Sequence, residues 1–544
     1  MTHDFVPENA KVVSARKKLD DLVQAIGENR LPLREPCMEG TRTIILQEIG
    51  NEIKNVDGPN VIWIKGSPGV GKSALAASIA ALLCEQDRRF ISFRFDRTES
   101  TTITTDALWR TVALGLARLH PSVYQHILNI VQNDKMPGPS DINGRFKSLI
   151  EMPLFTLNDV PREELPVIVI DALDECGGFR HDSSGKNDYR SLLRTLECWV
   201  QVEHLKRFKL VITSRPEGRI SRVFPTSIST HIVIPSGSDV GPGDSTSQDI
   251  RTFLKSRLDN MEMKHAQIAE ALDYLVLGAA GIFIWATTVA NFLEYNPGVR
   301  FDILKKRKGG DDIKGMKDLY SLYTTVVKTS LGQIEKQEVQ GIISVMGAII
   351  YAKQPLSDDV LVMLPGVTIG ESNVMRLIRK GLASVIGSGD VLHFHHKSFE
   401  DYLLSPSFPQ EFPEFSAVQD RGHHERQLAV LCLKTLASPK LHFNMCNLDS
   451  SVIKNVDIPP NVKSMIPPFV LYSSQFWADH LVHTPSDEPS DQKLKEGVKF
   501  VMYEKLLFWI ETMSLSGKAY DVSSILRRAL SWKVRFQLIS LQHI

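Results

Sequence analysis

Apolar residues recur along this chain in two different periods, and the switch between them marks its organisation. Up to about residue 235, short runs rich in β-branched and aromatic residues alternate with helical stretches. The runs at 61–65, 90–95, 167–171, 210–213 and 231–234 read as buried strands. Helical spacing between them is clearest at 105–119 and 189–205. Such alternation predicts a parallel sheet covered on both faces. A helix is expected ahead of the first strand, with Ile44, Ile45, Ile49 and Ile53 on one face. Residues 1–36 offer one modest amphipathic stretch, 13–26, and no enzyme motif.

The Gly/Ser/Pro-rich stretch 235–247, PSGSDVGPGDSTS, is the clearest punctuation in the chain. After it the period is helical, beginning with Ile250, Phe253, Leu254 and Leu258. Residues 274–293 carry no charge over the length a bilayer demands. Gly278, Gly281, Thr287, Thr288 and Asn291 dilute that stretch, so it reads as two buried helices and no membrane span is expected. Residues 314–404 read as helices ending in a strand pair, 383–386 and 391–394, around Gly387-Ser388-Gly389-Asp390. Helices followed by a hairpin suggest a winged helix. From 420 the chain is helical again, with Leu428, Leu431, Cys432 and Leu436 on one face, and no internal repeat is visible.

Length and composition narrow the class. At 544 residues the chain is too long for one core, and the size prior is about three to four domains. An apolar fraction of 43% and a charged fraction of 23% are those of a globular protein. Net charge is zero, so no global field favours nucleic acid or an anionic membrane. The one basic run, 305–308, passes straight into Gly309-Gly310-Asp311-Asp312 and reads as a solvated loop. Cysteines at 37, 84, 176, 198, 432 and 446 form no C-x-x-C pair, which suits a reducing compartment and argues against structural zinc. The N-terminus has no apolar core of a secretory signal, so a cytoplasmic location is expected.

Chemistry concentrates at the ends of three strands. Gly66-Ser67-Pro68-Gly69-Val70-Gly71-Lys72-Ser73 follows the first strand, fits G-x-x-x-x-G-K-[ST], and opens a helix through Ala74. Glycines let successive backbone N–H groups converge on one anion, and a helix N-terminus adds partial positive charge. Lys72 is placed to reach terminal phosphates, and the Ser73 hydroxyl to ligate Mg2+. The third strand ends in Asp171, a carboxylate at the edge where open α/β sheets bind ligands, positioned to share that metal. Asp174 and Glu175 follow within one turn, either of them a candidate to orient or deprotonate water. The fourth strand runs into Ser214-Arg215-Pro216, and Arg215 is a candidate to stabilise developing charge.

With these pieces in place the sequence resembles the NACHT-domain P-loop NTPases of the STAND class, and among them the fungal NACHT proteins related to NOD-like receptors. The resemblance rests on Cys37-Met-Glu-Gly-Thr-Arg42, the phosphate loop, Val167-Ile-Val-Ile-Asp-Ala-Leu-Asp-Glu-Cys176, Ile212-Thr-Ser-Arg-Pro216 and Gly281-Ile-Phe-Ile-Trp-Ala286. Further along, it rests on Pro355-Leu-Ser357, His396-Lys-Ser-Phe-Glu-Asp-Tyr-Leu403, Asn444-Met-Cys446 and Phe476-Trp-Ala-Asp-His-Leu481. It implies an α/β class, with a P-loop NTPase parallel-sheet core followed by helical, winged-helix and all-α domains. The expected division is an N-terminal extension (1–36), a nucleotide-binding domain (37–240), a helical domain (241–312), a winged helix (313–405) and a C-terminal helical domain (406–544).

That resemblance implies a signalling switch. ADP would hold a closed form, ATP (or GTP) exchange would open it, and copies would assemble in response to nucleotide. The residue matching the histidine that contacts phosphate in related receptors is His396. Hydrolysis is expected to be slow, because Ala172 stands where many ATPases place a catalytic glutamate. The competing expectation is a non-catalytic, ADP-bound scaffold. Relatives often carry an effector domain and sensing repeats, and neither is legible in these residues. The chain therefore reads as a short member or a fragment of a larger NACHT–repeat receptor, working with an effector or sensor protein.

Overall fold

Val, Ile and Leu dominate the five apolar runs, and a residue buried on both faces of a sheet needs that chemistry. In the computed structural model these runs are β1 (Val61–Gly66), β2 (Phe90–Arg94), β3 (Val167–Asp171), β4 (Leu210–Ser214) and β5 (Ser229–Ile234). They form one parallel sheet in the order β2-β3-β4-β1-β5. The structure describes residues 32–542 except 97–102, 134, 139–140, 177–182, 242, 263–264, 307–315, 333, 368–372, 388–390, 449–464 and 485–490. The amphipathic stretch at 13–26, the end of the basic run and the hairpin turn lie outside the described residues.

The chain divides into two compact units, Met1–Leu319 and Tyr320–Ile544. In the first, the helices are α1 (Thr43–Lys54), α2 (Lys72–Glu85), α3 (Thr105–Leu119), α4 (Pro121–Gln132), α5 (Ser183–Gln201), α6 (Ser245–Leu258), α7 (His265–Ala279), α8 (Phe283–Leu293) and α9 (Pro297–Lys305), with shorter turns between. Period-2 alternation sorts β1 cleanly. Val61 and Trp63 join the core on one face with Trp109, Phe146 and Trp199, while Ile62 and Ile64 join the other with Ile49, Leu75 and Ile79. The indoles of Trp109 and Trp199 stack at 6.1 Å.

Two expectations change in detail. On α1, Ile49 and Ile53 are buried and Ile45 packs against them, but Ile44 is 66% exposed. Residues 45, 49 and 53 are four apart, whereas residue 44 lies a further 100° round the helix. The strand pair of the second unit is shorter than predicted, Ile386–Gly387 against His393–Phe394, because after the helical turn ends at Gly381 the N–H groups of Val385 and Ile386 bond back to the Leu382 carbonyl and hold the residues between in a turn. The uncharged stretch at 274–293 does break in two. Ala280 (φ 44°) and Gly281 (φ 80°) turn left-handed between α7 and α8. Among the described residues no helix is long and apolar enough to cross a membrane.

The second unit begins within α10 (Met316–Leu331) and continues through α11 (Lys336–Tyr351), the antiparallel pair, α12 (Lys397–Leu403), α13 (Arg421–Ala437), α14 (Pro468–Val482), α15 (Asp491–Phe500), α16 (Leu506–Leu515) and α17 (Val522–Gln542). A capping box of Glu335 and Glu338 starts α11.

Candidate functional site

The order of the sheet places β4 between β1 and β3, so the C-terminal ends of three strands meet at one edge. The loop after β1 turns on Gly69 (φ 81°) and Gly71 (φ 94°), a backbone that side chains rarely adopt. Gly66 is needed for another reason. A Cβ there would lie 2.9 Å from Val70 and 3.2 Å from Ile234. Helix α2 starts at Lys72 with no side chain capping it, so its first N–H groups face the loop. Ser73 and Ala74 occupy that first turn.

Lys72 folds back over the loop. Its Nζ donates to the carbonyls of Gly66 at 2.9 Å and Ser67 at 3.0 Å. Burial pushes its ammonium down to about 8, and Asp174 is the strongest group opposing that shift. The Ser67 hydroxyl accepts from Ser236 at 2.9 Å.

Asp171 is fully buried. Its Oδ1 accepts from the Thr213 hydroxyl at 2.5 Å, and Thr213 Oγ1 in turn accepts from the Ala172 N–H at 2.9 Å. Its Oδ2 is buried with no hydrogen bond of normal geometry among the described residues. Burial raises the Asp171 carboxyl, with the Thr213 and Ser73 hydroxyls opposing, so Ser73 lies close. A buried carboxylate oxygen beside a hydroxyl at the mouth of a phosphate-binding loop is the donor set a magnesium ion takes when phosphate oxygens and water complete its shell. The residues present therefore fit that ion.

The backbone turns left-handed at Ala172 (φ 57°), and a 3-10 turn, Leu173–Glu175, follows. This bend explains why the acidic pair comes two residues late: Ala172 is the corner, and Asp174 and Glu175 come round after it. Asp174 is tied on both oxygens, Oδ1 accepting from the Arg215 backbone N–H at 3.1 Å and Oδ2 ion-paired with its Nε at 3.2 Å. Glu175 is half-buried beside it.

The structure thus brings Gly66–Ser73, Asp171, Asp174, Glu175 and Arg215 to one sheet edge. His396 lies in the second unit, where its Nδ1 caps α12 by accepting from the Ser398 N–H at 3.1 Å. Three contributors escaped sequence reasoning. Thr213 carried a weak signal, as the first polar residue after Leu-Val-Ile. Ile284, whose N–H donates to the Gly69 carbonyl at 2.9 Å, and Arg42 carried none beyond membership of a signature.

A phosphate loop after β1, an acidic residue ending a strand two places away, and an inserted polar strand end define a P-loop NTPase. Comparison narrows this. Residues 40–215 match the family described as Nephrocystin 3, N-terminal. The chain is 23% identical over 487 residues to the vegetative incompatibility protein HET-E-1 of Podospora anserina, covering 84% of this chain and 33% of that protein. It therefore spans about a third of the length of that relative. Both likenesses support a NACHT-type P-loop NTPase. Among solved structures, a STAND protein with a tetratricopeptide repeat sensor from Pyrococcus horikoshii aligns over 95% of this chain and 66% of its own, at 15% identity and TM-score 0.38. A Walker-type ATPase of Pyrococcus abyssi aligns over 69% and 99%, at 13% and 0.33. The fold assignment rests on the sheet itself and not on these alignments.

Proposed function

We propose that this chain is a nucleotide-dependent signalling switch that binds Mg-ATP and ADP, hydrolyses slowly and assembles with copies of itself according to the nucleotide held. The observation that carries it is a cation and a carboxylate oxygen poised at the phosphate loop. Among the described residues half-buried Lys72 donates to the carbonyls of Gly66 and Ser67, and buried Asp171 Oδ2, close to Ser73, has no hydrogen bond of normal geometry. A nucleotide phosphate with magnesium satisfies both.

In this reading the N–H groups of the loop and Lys72 bind and orient the β- and γ-phosphates. Ser73 and Asp171 would hold a magnesium ion, which would supply charge neutralisation at the phosphate oxygens when bound. Glu175 orients the attacking water. Asp174 fixes Arg215 rather than acting as the base, since Arg215 occupies both its oxygens. Arg215 then faces the developing charge. By its place in the matching motif His396 is the candidate reporter within the second unit, and an effector or sensor protein receives the signal in the cytoplasm.

The test is binding of a fluorescent ATP or ADP analogue with and without magnesium. Lys72→Ala is expected to lose binding, and competition with GTP sets the base preference. Wild-type affinity in Lys72→Ala sinks the proposal. A second reading, an ADP-bound scaffold without turnover, draws support from Ala172 and from the commitment of Asp174 to Arg215. Single-turnover hydrolysis separates them: equal rates in wild type and Glu175→Gln favour the scaffold. Light scattering with ADP against a non-hydrolysable ATP analogue tests assembly.

A further inference from the structure

We propose that Arg42 is a positioning residue that presets the phosphate loop by holding one of its outward carbonyls, and that it ties the loop to α6 and α8. The inference rests on the nucleotide-binding reading above.

A tight turn aims the side chain. The Thr41 N–H and hydroxyl both donate to the Met38 carbonyl, at 3.0 and 2.6 Å, Gly40 has φ 80°, and Arg42 itself has φ 58°. The guanidinium is 4% exposed. Its Nη2 donates to the Val70 carbonyl at 2.8 Å and its Nη1 to the Thr246 hydroxyl on α6 at 3.1 Å. Its Nε lies 4.0 Å from Asp249, also on α6. Its plane sits 4.7 Å over the ring of Phe283, the first residue of α8. One residue earlier in the loop, the Gly69 carbonyl accepts from the Ile284 N–H at 2.9 Å.

The consequence follows from peptide geometry. In a planar trans peptide the carbonyl and the next N–H point in opposite directions. Holding the carbonyls of Gly69 and Val70 against α8 and Arg42 therefore turns the N–H groups of Val70 and Gly71 the other way, into the loop. Those two peptides flank glycines at positive φ, whose backbones would otherwise flip at little cost. A preset nest binds an anion without first ordering itself. Arg suits the task because one planar fork serves a carbonyl, a hydroxyl and an aromatic face together.

The experiment measures ADP and ATP affinity in Arg42→Ala, Arg42→Lys, Thr246→Val and Lys72→Ala, with near-ultraviolet circular dichroism as the check on folding. Arg42→Ala is expected to weaken both nucleotides about 10- to 100-fold, the range for losing a charged hydrogen bond. Guanidinium chloride at about 50 mM, far below unfolding concentrations, is expected to restore binding to Arg42→Ala and not to Lys72→Ala. Wild-type affinity in a folded Arg42→Ala overturns the proposal, and so does a loss that guanidinium does not restore. Should Arg42→Ala not fold, Arg42→Lys and Thr246→Val decide: a loss of several-fold in both supports the brace, and wild-type affinity in both overturns it. Lys72→Ala keeps the two readings apart. If it abolishes binding while the Arg42 variants do not weaken it, the nucleotide site stands and the brace falls; if wild type binds no nucleotide, both fall.

Discussion

Gly69 gives the sharpest test of how the loop is seated. An added Cβ at Gly69 would lie 2.1 Å from Ile284 Cγ2 and 3.1 Å from its Cβ, in a backbone with φ 81°. Gly69→Ala therefore meets two costs, left-handed strain of about 1–2 kcal/mol and overpacking of about 1–3 kcal/mol. Gly71→Ala is the control: φ is 94° and nothing lies within 4 Å of the added carbon, so only the strain applies. Ile284→Ala, at a half-buried position, costs about 1–2 kcal/mol by itself. It removes the nearer clashing atom, so it should recover about 1–2 kcal/mol of the Gly69→Ala loss and none of the Gly71→Ala loss. Denaturant titration followed by tryptophan emission, read on the transition that wild type and variants share, gives the coupling energy of Ile284→Ala with each glycine variant. Additivity of Gly69→Ala with Ile284→Ala within about 0.5 kcal/mol would refute the seating of the loop on α8.

Other outcomes follow from particular contacts. His424 is buried against Gly347 and Tyr351, and burial pushes its imidazole down to about 4. The unfolded chain then binds the proton first, so His424 costs about 3 kcal/mol of stability as pH falls from 6.5 to 4. Burial also lowers His480 and His483, which act in the same direction. His424→Phe should flatten the stability–pH slope of wild type in that window; an unchanged slope refutes it. Glu425 is wholly buried; burial pushes its carboxyl up, but His480 at 2.6 Å and Lys353 at 2.9 Å outweigh it and hold the carboxyl far below its ordinary range. Glu425→Ala leaves Lys353 and His480 without their anion and should cost about 3–5 kcal/mol by denaturant titration. Ala172→Gly relieves a left-handed alanine at the corner before the acidic pair, and should stabilise by about 0.5–1 kcal/mol after the entropy cost of glycine.

Most of the first unit was legible because local rules and the sheet agree. Period-2 alternation and β-branched runs located the strands to within two residues, and the glycine–lysine motif located the loop. What the sequence hid is long-range. Nothing in Ala172-Leu-Asp-Glu175 announces that alanine bends left-handed or that Asp174 is tied to Arg215. Thr213 looked like the last residue of a strand and proves to bridge Asp171 and Ala172, because the sheet order inserts β4 between the two halves of the site. Ile44 misled for a simpler reason: adjacency in sequence is not adjacency on a helix face.

These hidden ties bear on what the loop does as a mechanical element. It is held from two sides. On the inner side Lys72 donates to the carbonyls of Gly66 and Ser67. On the outer side Ile284, Arg42 and Ser236 hold Gly69, Val70 and Ser67. A bound phosphate competes for the inner ties, because Lys72 donates more strongly to an anion than to a carbonyl. It leaves the outer ties in place. On the proposed function, a change of nucleotide would be felt first where those ties end, at the first turn of α8 and, through Arg42, at Thr246 and Asp249 of α6. The segment Gly281–Ala286 thus gains a physical role. Its Gly281 leaves no space for a side chain against Pro235 and Ser236, its Ile284 seats the loop and its Phe283 carries the guanidinium. In a switch, helices joined to the anion site through so few bonds are where the energy of nucleotide exchange becomes movement.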